Sequence, residues 1–347
     1  MNLVFMESPL RRITMNMAHD ACLVSAVVTA HNAAHSIAPC LESLTSQAGN
    51  MEIILVDDRS SDGTADTARG LGLGNLRVFE IRDYTDKKLT ARQKALDLGF
   101  RQARGKWVAV LDADGQARPG WIAQAMMVHE ETGASAISGP VGFRPAGPSW
   151  KARVLAALQT IDSLFYTNWC SLLARLGFAS GMLFGNCVFL KDAYTNTGGF
   201  AETGFSLTED LAFARLLHKK GKRIAYAKAP MVSVQACATV SGLLCRAERI
   251  SVGAPSFLAV FIGLWMMLLL ILALLSVYGG SLALSLLAAR YLCGVAWLGW
   301  SMKASGLFSL FPLAFVYEPM AIVMGMAVWV RTRRKNFVDW GGVRYAR

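Results

Sequence analysis

Apolar residues in the first part of the chain fall into short β-prone runs separated by amphipathic stretches. Leu23–Thr29, Glu52–Val56, Leu76–Ile81, Trp107–Leu111 and Ala136–Phe143 read as strands. The stretches around Ile37, Leu41 and Leu44, from Ala65 to Leu71, from Thr90 to Gln102 and from Gly120 or Trp121 to about Glu131 read as helices. Near-continuous apolar strands alternating with helices predict an α/β fold with a mainly parallel sheet. Over 151–178 the pattern changes: Val154, Leu158, Ile161, Phe165, Trp169, Leu172 and Leu176 recur at three- and four-residue steps, one apolar stripe on a helix. That helix either packs on the sheet or lies at a membrane interface. Beyond Tyr226 come three long apolar stretches, each able to span a bilayer: Phe257–Val277, Leu282–Met302 interrupted by Arg290, and Leu307–Val330 interrupted by Glu318-Pro319. Arg331-Thr332-Arg333-Arg334-Lys335 follows and is expected on the cytoplasmic side. Three full crossings would carry it to the opposite side from a cytosolic first domain, so two crossings and three both stay open.

Composition agrees with a membrane protein. The 347 residues are 54% hydrophobic and only 17% charged, too apolar for an ordinary soluble protein. A net charge of +11 fits nucleic acid or the anionic cytoplasmic face of a membrane. The apolar content favours the membrane, and no zinc-finger spacing, basic–aromatic recognition pattern or basic low-complexity tail points to nucleic acid. The seven cysteines include no Cys-x-x-Cys pair and read as small apolar residues in a reducing compartment. Arg11 and Arg12 are not followed by a long apolar core before Asp20, so residues 1–20 read as a leader rather than a secretory signal, with Met15 or Met17 as alternative starts.

Candidate chemistry sits where strands end. Trp107–Leu111 stops abruptly in Asp112-Ala113-Asp114-Gly115. Two carboxylates at the end of a buried strand repel each other unless a cation lies between them. Mg²⁺ or Mn²⁺ takes oxygen ligands of this kind, with substrate phosphates completing the shell. Ligands of open α/β sheets bind outside the carboxyl ends of the strands, although a plain strand-end turn also accounts for Asp-x-Asp. Glu52–Val56 likewise ends in Asp57-Asp58-Arg59-Ser60-Ser61-Asp62-Gly63-Thr64, a loop that opens a helix. Thr208-Glu209-Asp210 precedes the apolar Leu211-Ala212-Phe213, and reads as a helix start with Thr208 capping and two acids at the positive end of the dipole.

Taken in order, Val27-Val28-Thr29-Ala30-His31-Asn32, Val56–Thr64, Leu111–Gly115, Gly198-Gly199-Phe200 and Thr208-Glu209-Asp210 resemble the family 2 glycosyltransferases, with their GT-A nucleotide-sugar fold, over roughly Leu23 to Arg249. The resemblance implies a donor side formed by Thr29, His31, Asn32, Asp57, Asp58, Arg92 and Asp112, with Asp57 favoured over Asp58 for the base. It implies a metal, Mg²⁺ or Mn²⁺, on Asp114 with Asp112 supporting it or contacting the ribose, and a catalytic base, Asp210, beside Glu209. Thr208, Arg246 and Arg249 fall on the acceptor or diphosphate side. The bland readings are a solvated helix charge for Arg92 and membrane-flanking charges for Arg246 and Arg249. Ala33 stands where the family commonly has an acid. Ile250 replaces the Trp of the family's Gln/Arg-x-x-Arg-Trp element, which in processive relatives helps hold a growing sugar chain, so single transfer is expected. The tail Val338–Tyr345 partly resembles the Trp-x-Gly-Arg-x-Tyr ending of relatives acting on carotenoid or hopanoid lipids, with Gly342 and Val343 around the expected Arg.

The expected organisation is a leader at 1–20, a GT-A domain at 21–250, a transmembrane region at 251–335 and a basic, aromatic tail at 336–347. The expected protein is a multi-pass inner-membrane enzyme with a cytosolic catalytic domain. It moves one sugar from a UDP- or GDP-sugar to a membrane lipid hydroxyl, with inversion, and binds no nucleic acid. The alternatives are a transferase of cell-surface polysaccharide or polyprenyl-phosphate glycan assembly, and a non-enzymatic nucleotide-binding membrane assembly or transport protein.

Overall fold

The computed structural model describes residues 24–47, 49–85, 87–251, 257–333, 337–340 and 342–346. The leader, both alternative starts, Cys22, Arg334 and Lys335 lie outside them. The chain divides into two compact units, Met1–Gly142 with Met182–Gln235, and Phe143–Gly181 with Ala236–Arg347. The expected boundary at 250 differs from this division: residues 143–181, with the amphipathic stripe, group with the C-terminal apolar segment.

The first unit alternates strands and helices: β1 (Val24–Ala30), α1 (Ile37–Thr45), β2 (Met51–Asp58), α2 (Thr64–Gly70), β3 (Leu76–Ile81), α3 (Ala91–Gln102), β4 (Trp107–Asp112), β5 (Gln116–Ala117), α4 (Trp121–Thr132), β6 (Ala136–Ser138) and the start of β7 (Val141–Arg144). The chain returns to this unit with β8 (Cys187–Leu190), β9 (Ile224–Tyr226) and β10 (Val232–Gln235). The main sheet runs β3-β2-β1-β4-β8-β6-β9. Its pairs β3–β2–β1–β4 and β6–β9 are parallel, and β8 runs antiparallel to both neighbours. The expected strand Ala136–Phe143 is broken into β6 and β7 at Gly139-Pro140. Proline has no N–H for a ladder, and the Asn186 side-chain amide donates to the Pro140 carbonyl at 2.8 Å instead.

Period-two burial fills both faces of the sheet. Val28, Ile53 and Leu55 pack with Ile37, Leu41 and Trp121 on one face. Val27, Ile54 and Val56 pack with Leu96, Phe100, Phe189 and Phe213 on the other. The amino ends of the strands are closed by buried polar bonds. Ser25 donates to Glu52 at 2.7 Å, and Arg77 pairs with Glu52 at 3.0 Å. Burial works against the Glu52 charge, but bonds from Ser25, the Arg104 N–H and Arg77 outweigh it and hold the carboxyl below its usual range. The carboxyl ends are left for loops.

The second unit holds α5 (Trp150–Arg175), α9 (Val240–Ser251), α10 (Phe257–Tyr278), α11 (Gly280–Ala304), a 3₁₀ turn at Phe308–Leu313, α12 (Ala314–Thr332) and a hairpin of β11 (Phe337–Trp340) and β12 (Val343–Ala346). The helices α6 (Lys191–Thr195), α7 (Gly199–Thr203) and α8 (Glu209–Lys219) belong to the first. Three segments, Val260–Val277, Gly280–Ala304 and Phe308–Thr332, are long and apolar enough to cross a membrane. Leu274, Val277, Leu282 and Val323 on them are at least 66% exposed, an apolar surface suited to lipid. Arg290 and Glu318, which interrupt the second and third stretches, pair with each other at 3.0 Å. The Trp265 indole N–H donates to Glu318 at 2.9 Å, and the Arg290 guanidinium lies 3.6 Å from the Trp265 ring centre. Gly294 makes room, since a Cβ there would stand 2.7 Å from Glu318 Oε1. The two charges satisfy each other, which removes the cost of exposing either to lipid. The stripe of α5 packs on these helices: Phe165 against Trp297 and Tyr317, Trp169 against Phe261, Trp265 and Trp297, and Asn168 donating to Ser301 at 2.6 Å.

Candidate active site

Register places the candidate residues side by side. Thr29 lies opposite Val56 on β2 and Asp112 on β4, and Ala30 lies opposite Asp57. Three parallel strands therefore end together at the carboxyl edge of the sheet.

The loops after β1 and β2 are laced into one wall. Asn32 and Arg59 adopt left-handed backbone, at φ 53° and 58°. The Asn32 N–H donates to Ser60 Oγ at 2.9 Å, and the Ser61 N–H donates back to Asn32 Oδ1 at 2.9 Å. The Ala34 N–H reaches Asp62 at 2.9 Å, and the Ala33 N–H reaches Thr64 Oγ1 at 2.8 Å. The Thr64 hydroxyl and then the Ala34 N–H hold the Asp62 carboxyl below its usual range. His31 shares a 2.6 Å bond with the Asp58 carbonyl. Asp57 and Asp58 differ in their bonds here. Both oxygens of Asp58 accept from Arg59, at 2.8 and 2.9 Å, whereas Asp57 accepts the Ser60 N–H at 3.2 Å.

Arg92 stands at the start of α3 and is no solvated helix charge. Its Nε donates to Glu209 at 2.6 Å and its Nη2 to Asp112 at 2.5 Å. One guanidinium thus joins the end of β4 to the start of α8. Burial opposes its charge, but the carboxylates of Asp112 and Glu209 outweigh that and raise its pKa above the ordinary arginine value. Glu209 is buried at 4% exposure, and burial moves its carboxyl upward even against Arg92. Asp210 is half-buried beside it, its Oδ1 accepting the Leu211 N–H at 2.8 Å. Burial first, and the neighbouring Glu209 second, raise Asp210 to about 7. Thr208 is the residue before α8 as expected, but its side chain makes no capping bond.

Asp114 is exposed in the turn after β4. Asp112 is hemmed in by backbone: a Cβ on Gly185 would stand 2.7 Å from Asp112 Oδ2. Carboxylate oxygens are the donors on offer, and among the described residues no group of three or more His, Cys, Asp or Glu is placed to hold a metal alone. Such a set fits a hard ion such as Mg²⁺ or Mn²⁺ that completes its shell with water and phosphate. Arg246 and Arg249 lie on α9, in the second unit, where the Arg246 guanidinium sits 4.7 Å from the Phe143 ring centre.

The sequence pattern assigned no role of their own to Gly185, Asp62 and Gln93. Gly185 carries no local signal. Asp62 and Gln93 do: Asp-x-Thr at a helix start, and Thr90-x-x-Gln93, a capping box.

Residues 25–189 match the sequence profile of Glycosyl transferase family 2. The matched span is just under half of the chain. Among curated proteins, glycosyltransferase AglE of Haloferax volcanii is 30% identical over 125 residues, 35% of this chain and 40% of that one. A poly-beta-1,6-N-acetyl-D-glucosamine synthase of Staphylococcus aureus is 27% identical over 195 residues, 55% of this chain and 44% of that one. The chain thus spans less than half the length of these relatives. A solved mannosyltransferase from Pyrobaculum calidifontis, in complex with GDP-Man and Mn²⁺, covers 93% of this chain and 92% of its own at TM-score 0.54 and 18% identity. That likeness confirms the GT-A fold of the domain.

Proposed function

We propose that the protein is a membrane-bound, inverting, divalent-metal-dependent glycosyltransferase that moves one sugar from a nucleotide-sugar to a lipid hydroxyl. The observation that carries this reading is the Arg92 bridge, which sets Asp112 on one side and Glu209-Asp210 on the other. Asp57 and the Asn32–Ser61 wall would bind the nucleoside. Asp114 and Asp112 would hold Mg²⁺ or Mn²⁺, which when bound offsets the charge of the departing diphosphate.

Asp210 would act as the base. The acceptor oxygen bonds to the anomeric carbon as the bond from that carbon to the diphosphate breaks. The hydroxyl proton passes to Asp210, and the electron pair leaves with the nucleoside diphosphate. One displacement inverts the centre, and a base near pKa 7 suits neutral pH.

The lipid acceptor is supported by the three apolar segments and by α5 packed among them. A cytosolic catalytic side is supported by the net charge of +11, and the cluster Arg331–Lys335 supports it where two of the three apolar segments cross. Ile250 in place of Trp supports a single transfer. A second reading, polysaccharide synthesis, is favoured by relatives named for succinoglycan biosynthesis and poly-N-acetylglucosamine synthesis. Purified protein with Mn²⁺, UDP- and GDP-sugars and vesicles of bacterial total lipid extract separates the two. A glycolipid one sugar residue heavier by mass spectrometry is expected; a ladder of products would favour polymerisation, and no sugar-nucleotide turnover would refute both.

A further inference from the structure

Arg92 accounts for the charge balance of the acidic segment, but a charge pair alone does not fix where a loop runs. The residue after it does. Gln93 is fully buried, at 0% exposure, an unusual place for a glutamine unless every polar atom is used. Its Oε1 accepts two backbone N–H groups, from Thr90 at 2.9 Å and from Ser206 at 3.0 Å. Its Nε2 donates to the Gly204 carbonyl at 2.9 Å.

The first of these bonds is half of a helix cap. Thr90 Oγ1 accepts the Gln93 N–H at 3.1 Å in return. The other two grip a different segment, more than one hundred residues further along the chain. They take the carbonyl of one residue and the N–H of the next but one, as a neighbouring strand would. Gly204 stands at φ +67°, a conformation in which the segment turns. Beyond the grip, Ser206 Oγ donates to the Thr208 carbonyl at 3.1 Å and accepts the Thr208 N–H at 3.3 Å. Thr208 is the residue from which α8, and with it Glu209 and Asp210, begins.

We infer that Gln93 is a positioning residue for the catalytic acid segment. Its amide holds Gly204–Ser206, Ser206 holds Thr208, and the start of α8 is thereby placed so that Asp210 faces the edge where β4 ends. Capping α3 and aiming α8 are done by one side chain, next to the arginine that ties the same two elements electrostatically. The inference rests on the glycosyltransferase reading above and deepens it: the donor wall, made by loops after β1 and β2, is held together by its own bonds among Asn32, Ala34, Ser60, Ser61 and Asp62, so donor binding and base placement are separable.

The test compares Gln93→Glu and Ser206→Ala with the unaltered full-length protein in detergent. Gln93→Glu keeps the size and the accepting oxygen of the side chain but replaces the donor to Gly204 with a second acceptor. Ser206→Ala lies in a partly exposed loop and breaks the relay one step later without disturbing the core. The readouts are nucleoside diphosphate binding by calorimetry, and kcat and donor KM with whichever of UDP-N-acetylglucosamine or GDP-mannose the unaltered protein turns over on lipid-extract vesicles. A displacement of about 1 Å at a reacting group costs roughly 100-fold in rate. Gln93→Glu is therefore expected to lose about that in kcat, and Ser206→Ala about 10-fold, with donor KM and nucleotide affinity within about twofold of the unaltered values. Unchanged kcat in either folded variant overturns the inference, as does an equal loss of nucleotide affinity and kcat, which is what a general loosening of the domain would give. Where Gln93→Glu does not fold, Ser206→Ala decides by the same criteria. Absence of turnover in the unaltered protein refutes the glycosyltransferase reading itself, and is distinguished from failure of the inference by that control.

Discussion

Replacing Arg92 with leucine tests the bridge at the centre of the site. The change removes a cation that touches both Asp112 and Glu209 and leaves Glu209, 5% exposed at its side chain, with a buried charge. Removing one partner of a fully buried pair costs about 3–5 kcal/mol. Arg92 and Asp112 keep 25% and 31% of their side-chain surface, so solvent screens part of that, and about 2–3 kcal/mol is the expected loss. For a domain of this size each kcal/mol lowers the melting temperature by about 2–4 °C, so a drop of roughly 4–12 °C is expected in a thermal melt at pH 7.5. The cost comes from an orphaned carboxylate. Adding Glu209→Gln to Arg92→Leu therefore restores much of the loss, and lowering the pH, which protonates Glu209, narrows the gap. Asp112 is simultaneously released from its arginine, so calorimetric Mn²⁺ titration shows tighter metal binding in Arg92→Leu while kcat falls. A melting temperature within 1 °C of the unaltered protein, together with unchanged Mn²⁺ affinity, would show that the bridge is neither a stabilising pair nor a competitor of the metal, and would refute this reasoning.

Asp210→Asn is expected to abolish transfer while keeping nucleotide binding, and retained transfer removes Asp210 from the role of base. In the unaltered protein, transfer rises as pH increases through about 7, where Asp210 loses its proton. Its folded pKa lies above the ordinary aspartate value of 3.8. The folded state therefore binds the extra proton, so stability declines from about pH 4 to pH 7 as the rate increases; a pH-independent rate with intact protein excludes this. Glu318→Ala leaves Arg290 uncompensated among apolar helices and is expected to reduce the yield of folded protein in membranes strongly, whereas the double change Arg290→Leu with Glu318→Leu restores it; equal yields for the single and double changes would refute pairing. Gly185→Ala drives a methyl against Asp112 and is expected to reduce kcat by at least 10-fold with little change in melting temperature, read by kinetics alongside a thermal melt.

Much of the fold was legible because its signals are local. Five apolar runs predicted strands, and four of them, β1 to β4, lie within a residue or two of the expected spans apart from the longer β2. The fifth broke at Gly139-Pro140, where the missing proline N–H was itself visible but Asn186, which donates to the proline carbonyl, was not. β8 escaped notice because a run of four residues, Cys187–Leu190, carries no sign of direction, and its antiparallel place between β4 and β6 is set only by neighbours. The stripe on α5 showed that the helix buries one face, and nothing in the stripe could name the surface it meets. The same limit applied to charge. Arg290 and Glu318 each looked like an obstacle to crossing a membrane, and each is the other's partner.

By itself the sequence determined the first four strands of the domain and the helices between them, the motifs that resemble the family, the apolar segments and the identity of the acids at the strand ends. All of these depend on residues within a few positions of one another, where periodicity and spacing act directly. The tertiary structure alone decided how those residues are used. Arg92 meets Asp112 and Glu209 across 20 and 117 positions, and Gln93 grips Gly204 and Ser206 across 111 and 113. Contacts at such separations follow from the order of strands in the sheet and the packing of α3 on it. A guanidinium or an amide near a helix start looks the same in sequence whether it faces water or holds an active site together.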